Sequence, residues 1–571
     1  MSKKTIIAID LLVVLAIVTA TYLTSALAPF LSLDDISILN RLQSSEHNYL
    51  ARFFGGGGDY FRPLTSVSFL LDLNLFGPSA AAFHLVNLAI HTANSFLVYY
   101  LAYLLINTGP NGTNRAPFIA ALVFALHPVN TEAVLWVAGR TDLLCCFFFL
   151  LAVIVAVDQQ QSLIRSALAI FVLALLSLLA KEASVGLLGI LLVWSVSLYK
   201  EERARRTFWL TISVACASLV YLLMRSGMQI RTDAGVGKVL TGSAAKPVWQ
   251  FIYDSVAAFG FYISKALYPF PLKFAIVTIN KPLSVGIFIC SLAAMLILFV
   301  RSPKMRLPLL IFTLLLVPPV LALHGKLPWT PYAERYLYLS MTGFALLVGF
   351  AVSKLPAKVY PVVFASIVLL SIPTMQRVNL WGNPLEFWRE VMLQSPEFPR
   401  SYVGVACELL KEKKYDEAEP LLNKALKMGQ NKEFVWHNLA MVKLGKGDLG
   451  GYESAMLKSA GLARDSTSKY ISLIQTVSKN SHDEASLRRI IGYYLLAQQR
   501  DPRYGDGFYN AAKVYLQLGE TENALIYFRK FMDSPGDSMY KPFAERFIKK
   551  LAAADIPSAT NTVKEASKHT P

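Results

Sequence analysis

Acidic residues are scarce where this chain is most apolar. Of the 38 Asp and Glu among 571 residues, 15 lie in residues 1–375 and 23 in 376–571, so each carboxylate in the first part is informative. Cysteine is scarce too. Cys145, Cys146, Cys216, Cys290 and Cys407 form no CxxC pair, and all but Cys407 lie inside apolar runs, where a thiol behaves as a small hydrophobe. That argues against a disulfide scaffold or a cysteine zinc site. No HExxH is present, no GK[ST] follows the glycines Gly55 to Gly58, and the loops carry no Ser-His-Asp or Cys-His arrangement. These absences exclude a zincin, a nucleotide P-loop and a hydrolase triad. Although the net charge is +17, no long basic tract interleaves with aromatics, so nucleic acid is not an expected partner. The excess Lys and Arg fits cytoplasmic loops and contact with membrane lipid.

What is present is apolar length. The chain is 54% hydrophobic, and apolar runs of roughly 17 to 25 residues recur up to about residue 375, long enough to cross a bilayer as helices. Beyond that point the sequence is polar, charged and helical in pattern. The expected organisation is a membrane domain over 1–375, a soluble domain over 376–555 and a disordered tail over 556–571.

Lys3 and Lys4 precede a long apolar stretch, and Ala26-Leu27-Ala28 resembles a signal-peptidase box. Pro29 just after the would-be cut obstructs processing, so an uncleaved first span is expected. Further spans fall at about 83–106, 117–134, 141–157, 163–180, 183–199, 207–224, 282–300, 307–323, 336–353 and 359–375. Segment 249–275 is ambiguous. Placing it at the interface, or as a re-entrant element, puts Arg115, Arg165, the Lys200–Arg206 cluster, Arg301, Lys304 and Arg306 on the inner side, as the positive-inside rule requires. That gives 11 spans with the C-terminal domain outside; crossing by this segment would give 12. The sequon at Asn111 falls in an inner loop on this topology and is read as chance.

From about residue 399 a weak 34-residue period runs through the chain. Ala418 and Ala425, then Trp436, Leu439 and Ala440, then Phe508, Ala512, Tyr515, Ala524 and Phe528 fit the tetratricopeptide pattern, with a degenerate unit over about 467–504. The fold class expected is therefore all-α: a multi-span membrane domain followed by a helical solenoid whose concave surface suits peptide.

The candidate chemistry lies at span ends. "FLSLDDISILN" places Asp34 and Asp35 just after the first span, and Tyr60 to Pro63, with Arg62, resemble an amphipathic return to the surface. "FALHPVNTEAVLWVAGRTDLL" gathers His127, Asn130, Glu132, Arg140 and Asp142 at one membrane edge, where ionisable groups are costly and commonly functional. His127 taken alone suits helix-end capping. Lys181-Glu182 interrupts two apolar runs, the alternative being an interfacial turn of self-neutralising charge. "PWTPYAERYLYLS" brings Glu334, Arg335, Tyr336 and Tyr338 to the start of a span, where an arginine either snorkels or holds a phosphate. All fall on the outer face of the expected topology, where arginines would suit a lipid-linked phosphate and a carboxylate an acceptor hydroxyl.

In order, "LDDISILN", "DYFRPLTSVSFLLD", "FHLVNLAIH", "FALHPVNTEAVLWVAGRTDLL", "LAKEASV" and "AERYLYLS", followed by the repeats, resemble the transmembrane-and-tetratricopeptide protein O-mannosyltransferases and their bacterial relatives, which are GT-C fold glycosyltransferases. The resemblance implies inverting transfer of a sugar, mannose or another hexose, from a polyprenyl-phosphate donor to a Ser/Thr hydroxyl of an exported protein held by the repeats. It implies Asp34 as general base with Asp35 supporting it, and Arg140, Arg335 and Lys181 on the donor phosphate. His127, Glu132, Asp142, Arg62, Glu334 and Tyr338 would shape the site. It leaves a divalent metal open. The setting implied is a bacterial inner membrane, or the endoplasmic reticulum in a eukaryote, with the site extracytoplasmic. Two alternatives stay open: a transferase acting on a glycolipid or cell-wall polymer, and a non-catalytic membrane scaffold.

Overall fold

The computed structural model describes all residues except 1, 32–33, 44–59, 107–113, 159, 227–246, 326–329, 431, 464–465, 502–503, 535–537 and 554–571. The four glycines, the Asn111 sequon and the 556–571 tail lie outside the described residues. Those described are helical, with one isolated β-bridge between Ile276 and Tyr332. The chain divides into two compact units, Met1–Glu397 and Phe398–Pro571.

Among the described residues of the first unit, eight helices of 18 to 26 residues are long and apolar enough to cross a membrane: Lys3–Leu27, Ala80–Leu105, Val137–Val157, Leu163–Ala180, Glu201–Ser226, Lys281–Arg301, Pro303–His324 and Ala357–Trp381. At 1.5 Å per residue even the shortest reaches about 27 Å. The remaining three of the eleven expected spans take other forms. The 117–134 segment is two helices, Ala116–Leu126 and Pro128–Leu135, bent by 47°. Pro128 has no N–H to continue the first helix and restricts His127 to extended backbone, observed at φ −64°, ψ 124°. The 183–199 and 336–353 segments are the shorter helices Glu182–Ser197 and Ser340–Val352. Another short apolar helix, Pro63–Phe76, occupies what hydropathy alone reads as loop.

The ambiguous segment forms the helix Val248–Leu267. Asp254 pairs with Lys281 at 2.9 Å, where one span begins, and Ser255 meets His324 Nε2 at 2.9 Å, where another ends. Near its other terminus Lys265 binds Glu334 at 3.1 Å. The helix also packs along the span Lys281–Arg301, with Gly260 against the Ser284 backbone and Phe259 5.9 Å from Phe288, and it is not among the described helices long and apolar enough to cross.

The first unit continues past the last apolar run. Ser371–Trp381 and Pro384–Gln394 are amphipathic, and they bury Trp381, Phe387 and Trp388 around Phe274, with ring centres 5.8, 5.2 and 6.1 Å from it. The acid inside the first span, Asp10, is neutralised by Arg115 at 2.6 Å and accepts a bond from the Tyr99 hydroxyl at 3.1 Å.

The second unit contains consecutive helix pairs from Pro399–Lys411 with Tyr415–Lys427 to Asp506–Gln517 with Thr521–Met532, followed by Lys541–Ala553. The degenerate stretch is itself a pair, Thr467–Asn480 with Glu484–Arg500. Ala418, Ala425, Ala440, Ala512 and Ala524 are fully buried where helices approach closely. Three hairpin turns close alike. The N–H groups of Lys414, Asp448 and Glu520 donate to the carbonyls of Leu409, Lys443 and Tyr515, each at 2.9 Å.

Candidate functional site

The acidic pair opens the short helix Asp35–Gln43. The Asp34 carbonyl accepts the Ile38 N–H at 2.8 Å, and the Asp34 side chain is partly exposed. Asp35 is 1% exposed, with Oδ2 accepting the Leu31 N–H at 3.1 Å. Burial raises its carboxyl to about 7. The Leu31 N–H opposes this, the Asp34 charge adds to it, and the Ala138 backbone and Trp136 indole favour the ionised form. The adjacent acids therefore differ: one is wetted, and the other retains a proton near neutrality.

Beside them, three cations converge, each tied by one carboxylate. Lys181 Nζ lies 2.6 Å from Asp142 Oδ1. Arg62 grips Glu182 with two bonds, Nε to Oε2 at 3.1 Å and Nη2 to Oε1 at 2.7 Å, and stacks on Tyr60. Arg335 bonds Glu132 through its side chain and donates its backbone N–H to the same carboxylate at 3.0 Å. The Asp142 charge also acts on Arg62 and Arg335. Tyr336 joins the groups: Lys181 lies 5.6 Å and Arg335 4.9 Å from its ring centre.

Local chain geometry produces this convergence. The bend at His127 turns the chain into the short helix Thr131–Leu135, which carries Glu132, and the turn Val137–Gly139 leads into the helix starting at Arg140 and carrying Asp142. Gly139 is required there: a Cβ would stand 2.2 Å from the Ala133 carbonyl oxygen. Lys181 terminates Leu163–Ala180, and Arg335 sits in the single turn Glu334–Leu337.

Four expected site residues lie apart from this cluster. Arg140 is fully buried: Nη1 pairs with Asp72 at 2.5 Å, Nε bonds Asn87 Oδ1 at 2.8 Å and Nη2 bonds the Phe83 carbonyl at 2.9 Å, with Phe69 and Phe83 covering its faces. With its donors so engaged it braces three helices and presents no open edge to a phosphate. His127 bonds the Ala266 carbonyl at 3.1 Å and accepts from Val129 N–H at 3.4 Å, which is the capping arrangement. Tyr338 is buried on His91 at 2.8 Å and Asn94 at 3.2 Å. Glu334 turns away from its neighbour Arg335 to meet Lys265, the Lys273 N–H at 2.8 Å and Arg377 at 3.6 Å. Burial raises its carboxyl against the pull of Arg377 and Lys265.

Sequence reasoning missed Asp72, Asn87, Trp136, Lys265 and Arg377. Asp72 had a signal, an acid within an apolar stretch. Arg377 and Lys265 had none, since their partners are distant in sequence. Among the described residues, no three His, Cys, Asp or Glu side chains converge to hold a metal ion.

The tetratricopeptide repeat model matches residues 399–431 and 506–534. The chain is 25% identical over 414 residues to the protein O-mannosyl-transferase F38B6.6 of Caenorhabditis elegans, covering 66% of this chain and 57% of that one. It is 30% identical over 140 residues to human protein O-mannosyl-transferase TMTC3, covering 24% and 15%. Over 95 residues it is 39% identical to human TMTC4, covering 15% and 13%. It therefore spans little more than half of the nematode relative and a smaller part of the human ones. Among solved structures it is similar to ArnT from Cupriavidus metallidurans bound to undecaprenyl phosphate, at TM-score 0.39 and 12% identity over 85% of this chain and 82% of that one. The ordered motifs, the multi-span helical unit and the repeats agree with the curated matches: the chain is similar to the transmembrane-and-tetratricopeptide-repeat protein O-mannosyltransferases.

Proposed function

We propose that the chain is an inverting membrane glycosyltransferase that moves a hexose, mannose by the names of its relatives, from a polyprenyl-phosphate donor to a Ser/Thr hydroxyl of an exported protein. The observation that carries this reading is the convergence of Arg62, Lys181 and Arg335 around Asp142, next to an acid pair of unequal exposure, at the ends of membrane helices. Each cation keeps donors that its carboxylate does not use: a lysine has three N–H groups and an arginine five. The carboxylates fix where those donors point before the substrate arrives, which is the form of electrostatic stabilisation that costs least reorganisation.

In the proposed step, Asp34 takes the proton of the acceptor hydroxyl as its oxygen bonds to the anomeric carbon. The bond from that carbon to the phosphate oxygen breaks on the opposite face, and polyprenyl phosphate leaves with the electron pair. Lys181 and Arg335 stabilise the departing phosphate, with Arg62 behind them. Asp35, raised to about 7 by burial, keeps its proton part of the time near neutrality and so spares Asp34 part of a second negative charge. Arg140 has no direct part in this scheme; it holds the helix that carries Asp142. The site is assigned to the extracytoplasmic side by the Lys and Arg distribution, and the repeats to presenting the acceptor.

The test is sugar release from a labelled polyprenyl-phosphate donor pool by the purified full chain, with Asp34→Asn and Asp35→Asn alongside. Turnover by the wild type that collapses in folded Asp34→Asn supports the reading. Equal turnover in all three removes Asp34 as the base.

A further inference from the structure

Helix Leu163–Ala180 has Lys181 of the candidate site at one end and Arg165 near the other, about 24 Å away along the axis. At that far end three helix junctions come together. Arg206 Nη2 donates to Ser166 Oγ at 2.7 Å. Arg306 donates to the Phe299 carbonyl at 2.9 Å, to the Tyr199 hydroxyl at 2.7 Å and to the Ser197 carbonyl, and stacks on Tyr199. These ties draw Arg165, Lys200, Arg203, Arg205, Arg301 and Lys304, all exposed, around one rim.

The charge on this rim is not cancelled from within. Among the described residues, no carboxylate forms an ion pair with any of these six, nor with Arg206 or Arg306. Arg306 spends its donors on neutral oxygens and Arg206 gives Nη2 to a hydroxyl, so their charges add to the rim. The nearby acids have other uses: Glu201 and Glu202 occupy the first turn of a helix, where its dipole favours anions, and Asp158 accepts the Gln160 N–H at 3.0 Å. The candidate-site cations Arg62, Lys181 and Arg335 are each matched by an acid. The belt directly below the rim is apolar and aromatic: Tyr199 is 78% exposed, Val196 78%, Ile164 81% and Trp209 51%.

We propose that this rim binds anionic phospholipid headgroups, selecting them from the surrounding leaflet. Phosphates satisfy the uncancelled cations while the exposed Tyr, Trp and aliphatic side chains sit among the upper acyl chains and glycerol. A soluble polyanion would meet the charges but leave the belt below them without a partner. This inference does not rest on the transferase reading.

The probe is lipid retained by the purified full chain after exchange into nanodiscs of equal phosphatidylglycerol and phosphatidylcholine, measured by native mass spectrometry at low and raised salt. The expected result is enrichment of phosphatidylglycerol on the wild type, reduced about tenfold or more in Arg203→Gln/Arg205→Gln/Lys304→Gln and weakened by salt. Lys427→Gln/Lys432→Gln/Lys479→Gln removes as many exposed charges from the other unit and should leave the enrichment intact. Gel filtration and melting of each variant establish that it is folded. Absence of enrichment in the wild type, or equal loss in both triple variants, overturns the proposal. Displacement of phosphatidylglycerol by a single-stranded RNA oligomer that leaves no lipid preference overturns it in favour of a soluble polyanion.

Discussion

The guanidinium of Arg335 lies 4.8 Å from the centre of the Trp136 ring, and the same indole borders the buried carboxyl of Asp35. One aromatic side chain thus joins the acid pair to the cation cluster. Trp136 is itself held edge-on by Phe274, 6.2 Å away, whose other neighbours are Trp381, Phe387 and Trp388. The separation between the acid pair and Arg335 is accordingly fixed by a packed aromatic wall, a setting in which small displacements are costly.

Arg335→Ala should lower donor turnover by about 10²-fold or more, the usual scale for losing one preorganised charge at a developing anion. Arg335→Lys keeps the charge but loses the planar stack on Trp136 and part of the grip on Glu132, so it should recover only part of the rate. Steady-state release of labelled sugar by the two variants decides this. Equal rates for Arg335→Lys and wild type would mean that charge alone matters.

Asp35 makes stability depend on pH in the direction opposite to that of a salt-bridged acid such as Glu182. Its carboxyl titrates near 7 in the fold and near 3.8 when unfolded. Between those values the folded state binds the extra proton, so stability falls as pH rises through the window and levels off above about 7. The full shift corresponds to roughly 4 kcal/mol as an upper bound. Asp35→Asn imitates the protonated form and should flatten this slope. Melting temperatures at pH 5 and pH 8 for both proteins test it; parallel changes would show that other groups dominate.

Arg140→Ala should fail as a folded protein before it fails as an enzyme. It would strand Asp72, which is 5% exposed, without its counter-ion, at a cost of about 3–5 kcal/mol. Adding Asp72→Asn to Arg140→Gln removes both charges and should restore much of the folded yield. Detergent-solubilised yield and melting point are the readouts. A folded Arg140→Ala that lost only donor affinity would return Arg140 to the phosphate.

How legible this was in sequence varied with the physics. Spans were readable because crossing a bilayer imposes length and hydropathy. The bend at His127 was visible in Pro128. What the sequence left hidden was pairing. Arg62–Glu182 and Arg335–Glu132 join residues far apart in the chain, and nothing local distinguishes Arg335, which faces the cluster, from Arg140, which is spent on Asp72, Asn87 and Phe83. Adjacent Glu334 and Arg335 reading as one site illustrates the same limit, because a tight turn sends neighbouring side chains to different networks.

The repeat turns offer a test independent of catalysis. Gly447 and Gly519 occupy equivalent left-handed positions at φ 78° and 76°, and Lys413 holds the corresponding position at φ 59°. A non-glycine residue there is strained by about 1 kcal/mol or slightly more, partly offset by the greater chain entropy that glycine loses on folding. Lys413→Gly should therefore stabilise the first helix pair by about 0.5–1 kcal/mol, slowing hydrogen exchange in Pro399–Lys411 and Tyr415–Lys427 roughly two- to fivefold in the full chain. Gly519→Ala should accelerate exchange in the last pair by a similar factor. A Cβ at Gly519 meets no atom within 4 Å, so that loss would come from backbone conformation and not from a clash. Unchanged exchange in Lys413→Gly would mean that contacts of the lysine side chain compensate for its backbone.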